Sequence, residues 1–247
     1  MHTVLEPYAV INEANESRLV LTAEHAGNAW PMDIANTNFP PQWQNDHSCY
    51  DIGMAELVGA LAKRLNCTAL LGNYSRLLVD LNRETDDSDL IAPESDGFIF
   101  PENNNLTPET RQSRIKRYYT PYQEKLASLL KLQGPNTIML SLHSFTPRLR
   151  MKDQDRPWDI GVLFVTENDF SKTLVTSLQQ HSTLRVGVNE PYDLRQVKGG
   201  TVRFHGEKHG ILNAELEIRN DWFRDMDRGI AFWVDILTPI LQDYLQK

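Results

Sequence analysis

Cysteine is nearly absent from this chain. Cys49 and Cys67 are its two thiols, and neither belongs to a CxxC pair, which excludes a disulfide framework, a zinc knuckle and a thioredoxin-like redox site. Long apolar runs are also missing. None approaches about 18 residues, and Met1 to Arg18 carries Glu6, Glu13 and Glu16 where a secretory leader needs a basic start and an apolar stretch. The expected setting is therefore reducing and cytoplasmic, with no membrane partner. Positive charge is scarce: 25 Lys and Arg against 33 Asp and Glu leave a net charge of −8, which argues against general affinity for nucleic acid. There is no internal repeat and no low-complexity segment. What remains is a chain of 247 residues, 40% hydrophobic, long enough for one domain over 1–247 that buries roughly 70% of its surface without staples.

Apolar runs alternate with helical periodicities. Arg18 to Ala23 reads as a short strand covered on both faces, as do Thr68 to Leu71, Leu77 to Leu81, Asn136 to His143 and Ile160 to Val165. Asp51 to Leu65 follows a helical period through Ile52, Ala55, Leu57, Leu61 and Leu65, with Asp51 at the N-cap. Glu84 to Pro108 reads as a long loop of the kind that is usually functional. Thr107 and Pro108 open a helix that runs to about Leu132, Ser171 to Gln180 is a helix, and Leu212 to Arg219 is an alternating strand. Asp221 to Gln246 is a terminal helix with Trp222, Ile230, Trp233, Ile236, Leu237 and Leu241 on its apolar face. This alternation implies a three-layer α/β domain, a mostly parallel twisted mixed sheet with helices on both faces. Ligands in such sheets sit outside the carboxyl ends of the strands.

Two of the seven histidines fall at such ends: His25, in Glu24-His25-Ala26-Gly27-Asn28, and His143, in His143-Ser144-Phe145-Thr146-Pro147. Neighbouring strands lie about 4.8 Å apart, so two such imidazoles can converge on one ion. Zinc with two imidazoles, a carboxylate and an open position is a common catalytic arrangement. The plain alternative is a pair of unrelated turn histidines. The carboxylate is Asp51, Glu24 or Asp46, with His47 as a nitrogen alternative. Asp51 is favoured because a helix start aims its side chain at the strand-end face. Arg76 to Arg83 ends with Asp80, Asn82 and Arg83, a fork and an amide suited to a carboxylate ligand, or else an ordinary Asp80–Arg83 pair. Glu215, Glu217 and Arg219 share one strand face, and the carboxylate nearest the strand end would serve as general base for a metal-activated water.

In order along nearly the whole chain, Glu24-His25-Ala26-Gly27-Asn28, Asp51-Ile-Gly, Ser75 to Arg83, His143 to Pro147, Arg156-Pro-Trp158, Asn189-Glu-Pro-Tyr192 and Glu217-Ile-Arg219 resemble the N-formylglutamate amidohydrolase family. That family lies within a zinc carboxypeptidase-like group, of the phosphorylase/hydrolase-like fold class. The resemblance implies one catalytic zinc ion, Zn2+ or another divalent metal, with His25 and His143 as ligands and Glu217 as the catalytic base. It gives Asn82 and Arg83 to the substrate's carboxylate. One position departs from the group: Asn28 stands where carboxypeptidases carry the glutamate of HxxE. Asp51-Ile-Gly-Met-Ala-Glu-Leu resembles instead the helix-start carboxylate of zinc N-acetylmuramoyl-L-alanine amidases, which makes Asp51 the third ligand and Asn28 a substrate contact. Arg76, Arg219 and His205 complete the expected substrate side. The implied reaction is hydrolysis of a small anionic N-acyl amino acid, N-formyl-L-glutamate to formate and glutamate. The alternatives are another N-acyl amino acid or short acidic peptide, or a carboxylate-binding relative that has lost catalysis. The sequence sets no oligomeric state.

Overall fold

Runs of aliphatic residues build a seven-stranded sheet in the computed structural model, which describes residues 5–13, 15–31, 44–134, 136–152 and 154–246. The strands are β1 (Tyr8–Ile11), β2 (Leu19–Ala23), β3 (Thr68–Gly72), β6 (Ile138–Phe145), β7 (Ile160–Leu163), β8 (Val186–Val188) and β9 (Leu212–Arg219). A separate hairpin, β4 (Glu94–Ser95) with β5 (Phe98–Ile99), lies between β3 and β6 in the chain. Their order across the sheet is β1-β3-β2-β6-β9-β7-β8. The central four, β3, β2, β6 and β9, run parallel, while β1 and β7 are antiparallel to their neighbours β3 and β9. The parallel register sets Leu21 beside Ala69 on one side and Leu140 on the other, and His143 beside Glu217.

Alternate residues of each central strand feed two cores, which is why the strands carry little hydrophobic alternation. Leu19, Leu21, Leu140 and Leu142 face α1 (Met54–Leu65), α4 (Asp169–Gln179) and α5 (Met226–Leu245), where Trp233 is fully buried. Val20, Leu70 and Met139 face α2 (Pro108–Arg114) and α3 (Thr120–Leu132) through Tyr118, Tyr122 and Leu126. The three expected layers are present. Both thiols, Cys49 and Cys67, are buried outside any disulfide, and burial pushes each up to about 12. No helix among the described residues is long and apolar enough to cross a membrane.

Several elements differ from the sequence expectation. Leu77 to Leu81 is a series of turns, because Leu77 packs into one small cluster with Phe98 and Phe100 while Leu78 and Val79 join the α3 core. An aliphatic run shared between two cores has the composition of a strand without its pairing. The helix after Thr107 is interrupted by a π-helical turn, Ile115–Tyr119, just before Pro121, whose missing N–H suits a break in the hydrogen-bond ladder. Strand β7 pairs antiparallel and ends at Leu163, and α5 begins at Met226 with Asp225 as N-cap. Strands β1, an apolar run Tyr8–Ile11, and β8, only three residues long, lie outside the sequence expectation. Asp51 is not the cap of α1; Gly53, at φ +84°, takes that place, where a β-carbon would strike the Phe223 ring. The Asp51 carboxylate is thereby released for another use.

Candidate active site and metal centre

The carboxyl ends of β2 and β6 and the start of α1 meet at one point. His25 leaves β2 in a turn so close to the next loop that a side chain at Gly27 would overlap the Asn73 backbone. His143 stands on the adjacent strand, its ring centroid 5.0 Å from that of His25. Asp51 donates its backbone N–H to the His25 carbonyl at 2.8 Å, which fixes its position beside both rings. Its Oδ2 lies 2.8 Å from His143 Nδ1 and 3.5 Å from His25 Nδ1, and it also accepts the Ser144 N–H at 3.3 Å. Donor atoms of His25, Asp51 and His143 all lie within 4.8 Å of one another, and all three residues are buried.

The outer nitrogens of both rings are held by carboxylates. His25 Nε2 is 2.7 Å from Asp80 Oδ1, and His143 Nε2 is 3.1 Å from Glu24 Oε2 and 3.0 Å from Ser141 Oγ. Asp80 is fixed in turn by Arg76 Nη2 at 2.9 Å and the Asn82 N–H at 2.9 Å. Glu24, 0% exposed, accepts from the Ser141 hydroxyl at 2.8 Å and the Tyr122 hydroxyl at 3.3 Å. A carboxylate on the far nitrogen is the usual support of a metal-bound histidine, since it leaves Nδ1 as the donor. His25 Nδ1 fits that role: it is buried and makes no hydrogen bond.

Charge agrees with the donor set. Five buried carboxylates, Glu24, Asp51, Asp80, Glu215 and Glu217, cluster about the two imidazoles, against Arg76, Arg83, Lys152 and Arg156 in the cleft lining, a concentration of acid that suits a divalent cation. Burial raises Glu217 well above the usual carboxylate range; His143 works against that rise, and Glu215 and Asp51 add to it. Burial opposes a charge on His143, yet Glu215, Asp51 and Glu24 hold its pKa well above the ordinary imidazole value. Glu217 Oε2 is buried without a hydrogen bond, beside His143 in the sheet register.

These groups open into a cleft of about 420 Å³. His25, Asp51, Arg76, Asn82, Arg83, His143 and Glu217, all expected from the sequence, line it together. Arg76 and Arg83 are part-exposed there, with side chains 29% and 33% accessible. Three other expected residues are not in its lining. Asn28 donates to the Gln44 carbonyl at 2.8 Å and to Asn45 Oδ1 at 3.3 Å. His205 is buried in a π-helical turn, Val202–Gly206, with Nε2 2.8 Å from Gln123 Oε1. Arg219, at the last position of β9, turns to Asp159 and Asp221 and to the carbonyls of Pro157 and Trp158. Of the alternative ligands, His47 lines the cleft but pairs with Asp96 and Asp46, Asp46 also pairs with Arg150, and Glu24 stands behind His143.

The supporting roles of Asp80 and Glu24 escaped the sequence reading. Both stand within the quoted motifs, Glu24 as a candidate ligand and Asp80 as an ordinary partner of Arg83, and nothing local marks either as the support of an imidazole. Arg156 and Tyr192, quoted only as parts of motifs, both line the cleft, with Arg156 Nη1 3.0 Å from the Tyr192 hydroxyl.

Fold and site together define a layered α/β domain with a candidate metal centre at its strand ends. The family model described as N-formylglutamate amidohydrolase matches residues 17–224, and the chain belongs to that family, whose members hydrolyse amide bonds. Among solved structures, a gene product of Agrobacterium tumefaciens is 23% identical with a TM-score of 0.86, the alignment covering 97% of this chain and 96% of that one. The N-formylglutamate amidohydrolase of Ralstonia eutropha is 21% identical with a TM-score of 0.72, covering 98% of both chains. At these identities the likeness is one of fold. Among curated proteins no match is found.

Proposed function

We propose that this chain is a zinc-dependent amidohydrolase that cleaves N-formyl-L-glutamate to formate and L-glutamate, acting as one catalytic domain in the cytoplasm. The observation that carries this reading is the meeting of His25 Nδ1, His143 Nδ1 and Asp51 Oδ2 in a cleft that also holds Glu217 and two part-exposed guanidiniums. A zinc ion held by His25, Asp51 and His143 would supply Lewis acidity at the amide carbonyl and lower the pKa of an attacking water.

Glu217 takes a proton from that water and returns it to the leaving nitrogen as the C–N bond breaks, so the products are formate and the free amine. A carboxylate with its pKa raised by burial suits this exchange near neutral pH. Arg83 and Asn82 hold one carboxylate of the substrate and Arg76 the other, through charge-assisted hydrogen bonds. Asp80 and Glu24 keep the two imidazoles in the tautomer that offers Nδ1. Asp51 takes the place of the glutamate missing at Asn28, so the departure at that position does not leave the centre short of a carboxylate.

The test is formate release from N-formyl-L-glutamate by wild type, His143→Ala and Glu217→Ala, with bound metal measured on each. Both variants are expected to lose at least about 100-fold in kcat/KM, with metal lost only in His143→Ala. Equal rates in all three proteins would discard this site.

A further inference from the structure

The cleft is roomier and more apolar than a formyl group needs. Its volume of about 420 Å³ falls in the range of pockets that take drug-sized ligands, larger than a formylated amino acid. Of seven large hydrophobic residues exposed among the described residues, three line this one cleft: Met151 at 66%, Val197 at 40% and Tyr192 at 38%. Scattered exposed apolar residues need no explanation, but their concentration at the mouth of a polar site marks a ligand surface. Leu149 and Leu194 continue the lining inward.

Both apolar walls are held open by hydrogen bonds. Beyond β6, the Asp96 carboxylate accepts the N–H groups of Arg150 at 2.9 Å and Met151 at 3.1 Å, and the Pro147 carbonyl accepts the Arg156 N–H at 2.9 Å. Across the cleft, Arg203 donates to the carbonyls of Leu194 at 2.7 Å and Val197 at 3.0 Å. These segments are therefore anchored by backbone contacts that their apolar side chains do not make, and those side chains remain available to a ligand.

With the substrate's carboxylates at Arg76 and Arg83 and its amide at the metal centre, only the acyl substituent is left to meet this apolar surface. We infer that Leu149, Met151, Leu194 and Val197 form an acyl subsite, so that the cleft that turns over the formyl compound also takes, and holds more tightly, N-acyl amino acids with an aliphatic acyl chain of several carbons. The inference rests on the amidohydrolase reading above. It adds a ligand group that formate-releasing chemistry does not require.

The experiment compares N-formyl-, N-acetyl-, N-butyryl- and N-hexanoyl-L-glutamate with the metal-loaded protein, following amine release for kcat/KM and calorimetry for binding. Burying one methylene is worth about a fourfold change, so kcat/KM should rise about fourfold per carbon until the chain passes the rim. The Met151→Ser/Val197→Ser double variant, whose sites are exposed enough to spare the fold, should flatten that rise; its melting temperature checks the fold directly. A series in which the formyl compound is best overturns the subsite while the amidohydrolase reading stands. Affinity that climbs with chain length without turnover supports the subsite and overturns the amidohydrolase reading. Neither turnover nor length-dependent binding overturns both.

Discussion

Replacing Glu24 with glutamine changes one atom's chemistry in a fully buried site, and the consequence can be worked out from its neighbours. The carboxylate accepts from His143 Nε2 at 3.1 Å, Ser141 Oγ at 2.8 Å and the Tyr122 hydroxyl at 3.3 Å. Glutamine keeps one acceptor oxygen and turns the other into an NH2 group. If that NH2 faces His143, the imidazole must accept at Nε2 and carry its proton on Nδ1, the atom aimed at Asp51, where a protonated nitrogen cannot bind metal. If it faces Tyr122 instead, His143 keeps its tautomer but trades a charged acceptor for a neutral one of roughly half the strength. Loss of such a support typically weakens metal binding about 10- to 100-fold, or about 1.4 to 2.8 kcal/mol. Glu24→Ala should lose more, because it also strands the Ser141 and Tyr122 hydroxyls. Competition with a chromophoric chelator measures the affinity, and the melting temperature of the metal-free protein shows whether the fold survives. Wild-type affinity in a correctly folded Glu24→Gln protein would refute the tautomer argument.

Two further perturbations address stability. Burial lowers His205 from 6.5 to about 4, so the folded protein binds fewer protons than the unfolded chain between those values. Its contribution is full above pH 6.5 and declines by up to about 3 kcal/mol as pH falls towards 4. Urea midpoints at pH 7 and pH 4.5 should therefore separate more in wild type than in His205→Gln, and equal separations would exclude His205 as the cause. Gly27→Ala places a β-carbon onto the Asn73 backbone, a clash worth about 1–3 kcal/mol that must displace the turn carrying His25. A melting temperature lowered by several degrees together with weakened metal binding is expected; wild-type values for both would show that the turn yields freely.

Much of this molecule could be read along the chain. The buried runs of β2, β3 and β6 and the period of α1 are local patterns, and His25 and His143 follow directly from where strands end. Glu215 and Glu217 share a face because side chains alternate along a strand. That rule failed at Arg219, two residues further on, where the strand ends and Asp159 and Asp221 compete for the guanidinium. Nor could a local rule show that His205, expected on the substrate side, turns instead to Gln123 on α3, remote in sequence. Leu77 to Leu81 misled for a related reason: aliphatic composition reports burial, not pairing.

By itself, then, the sequence determined the kinds of element, the layered α/β class and the residue types standing at the strand ends, since all three depend on periodicity and propensity within short windows. Tertiary structure alone decided which of those residues meet. The pairing of β6 with β9 sets His143 beside Glu217, and the packing of the α1 start and the 76–83 turns against β2 brings Asp51 and Asp80 to His25. A site of this kind is set by strand order and by contacts between segments far apart in sequence, and distances of that range have no signature in any local pattern.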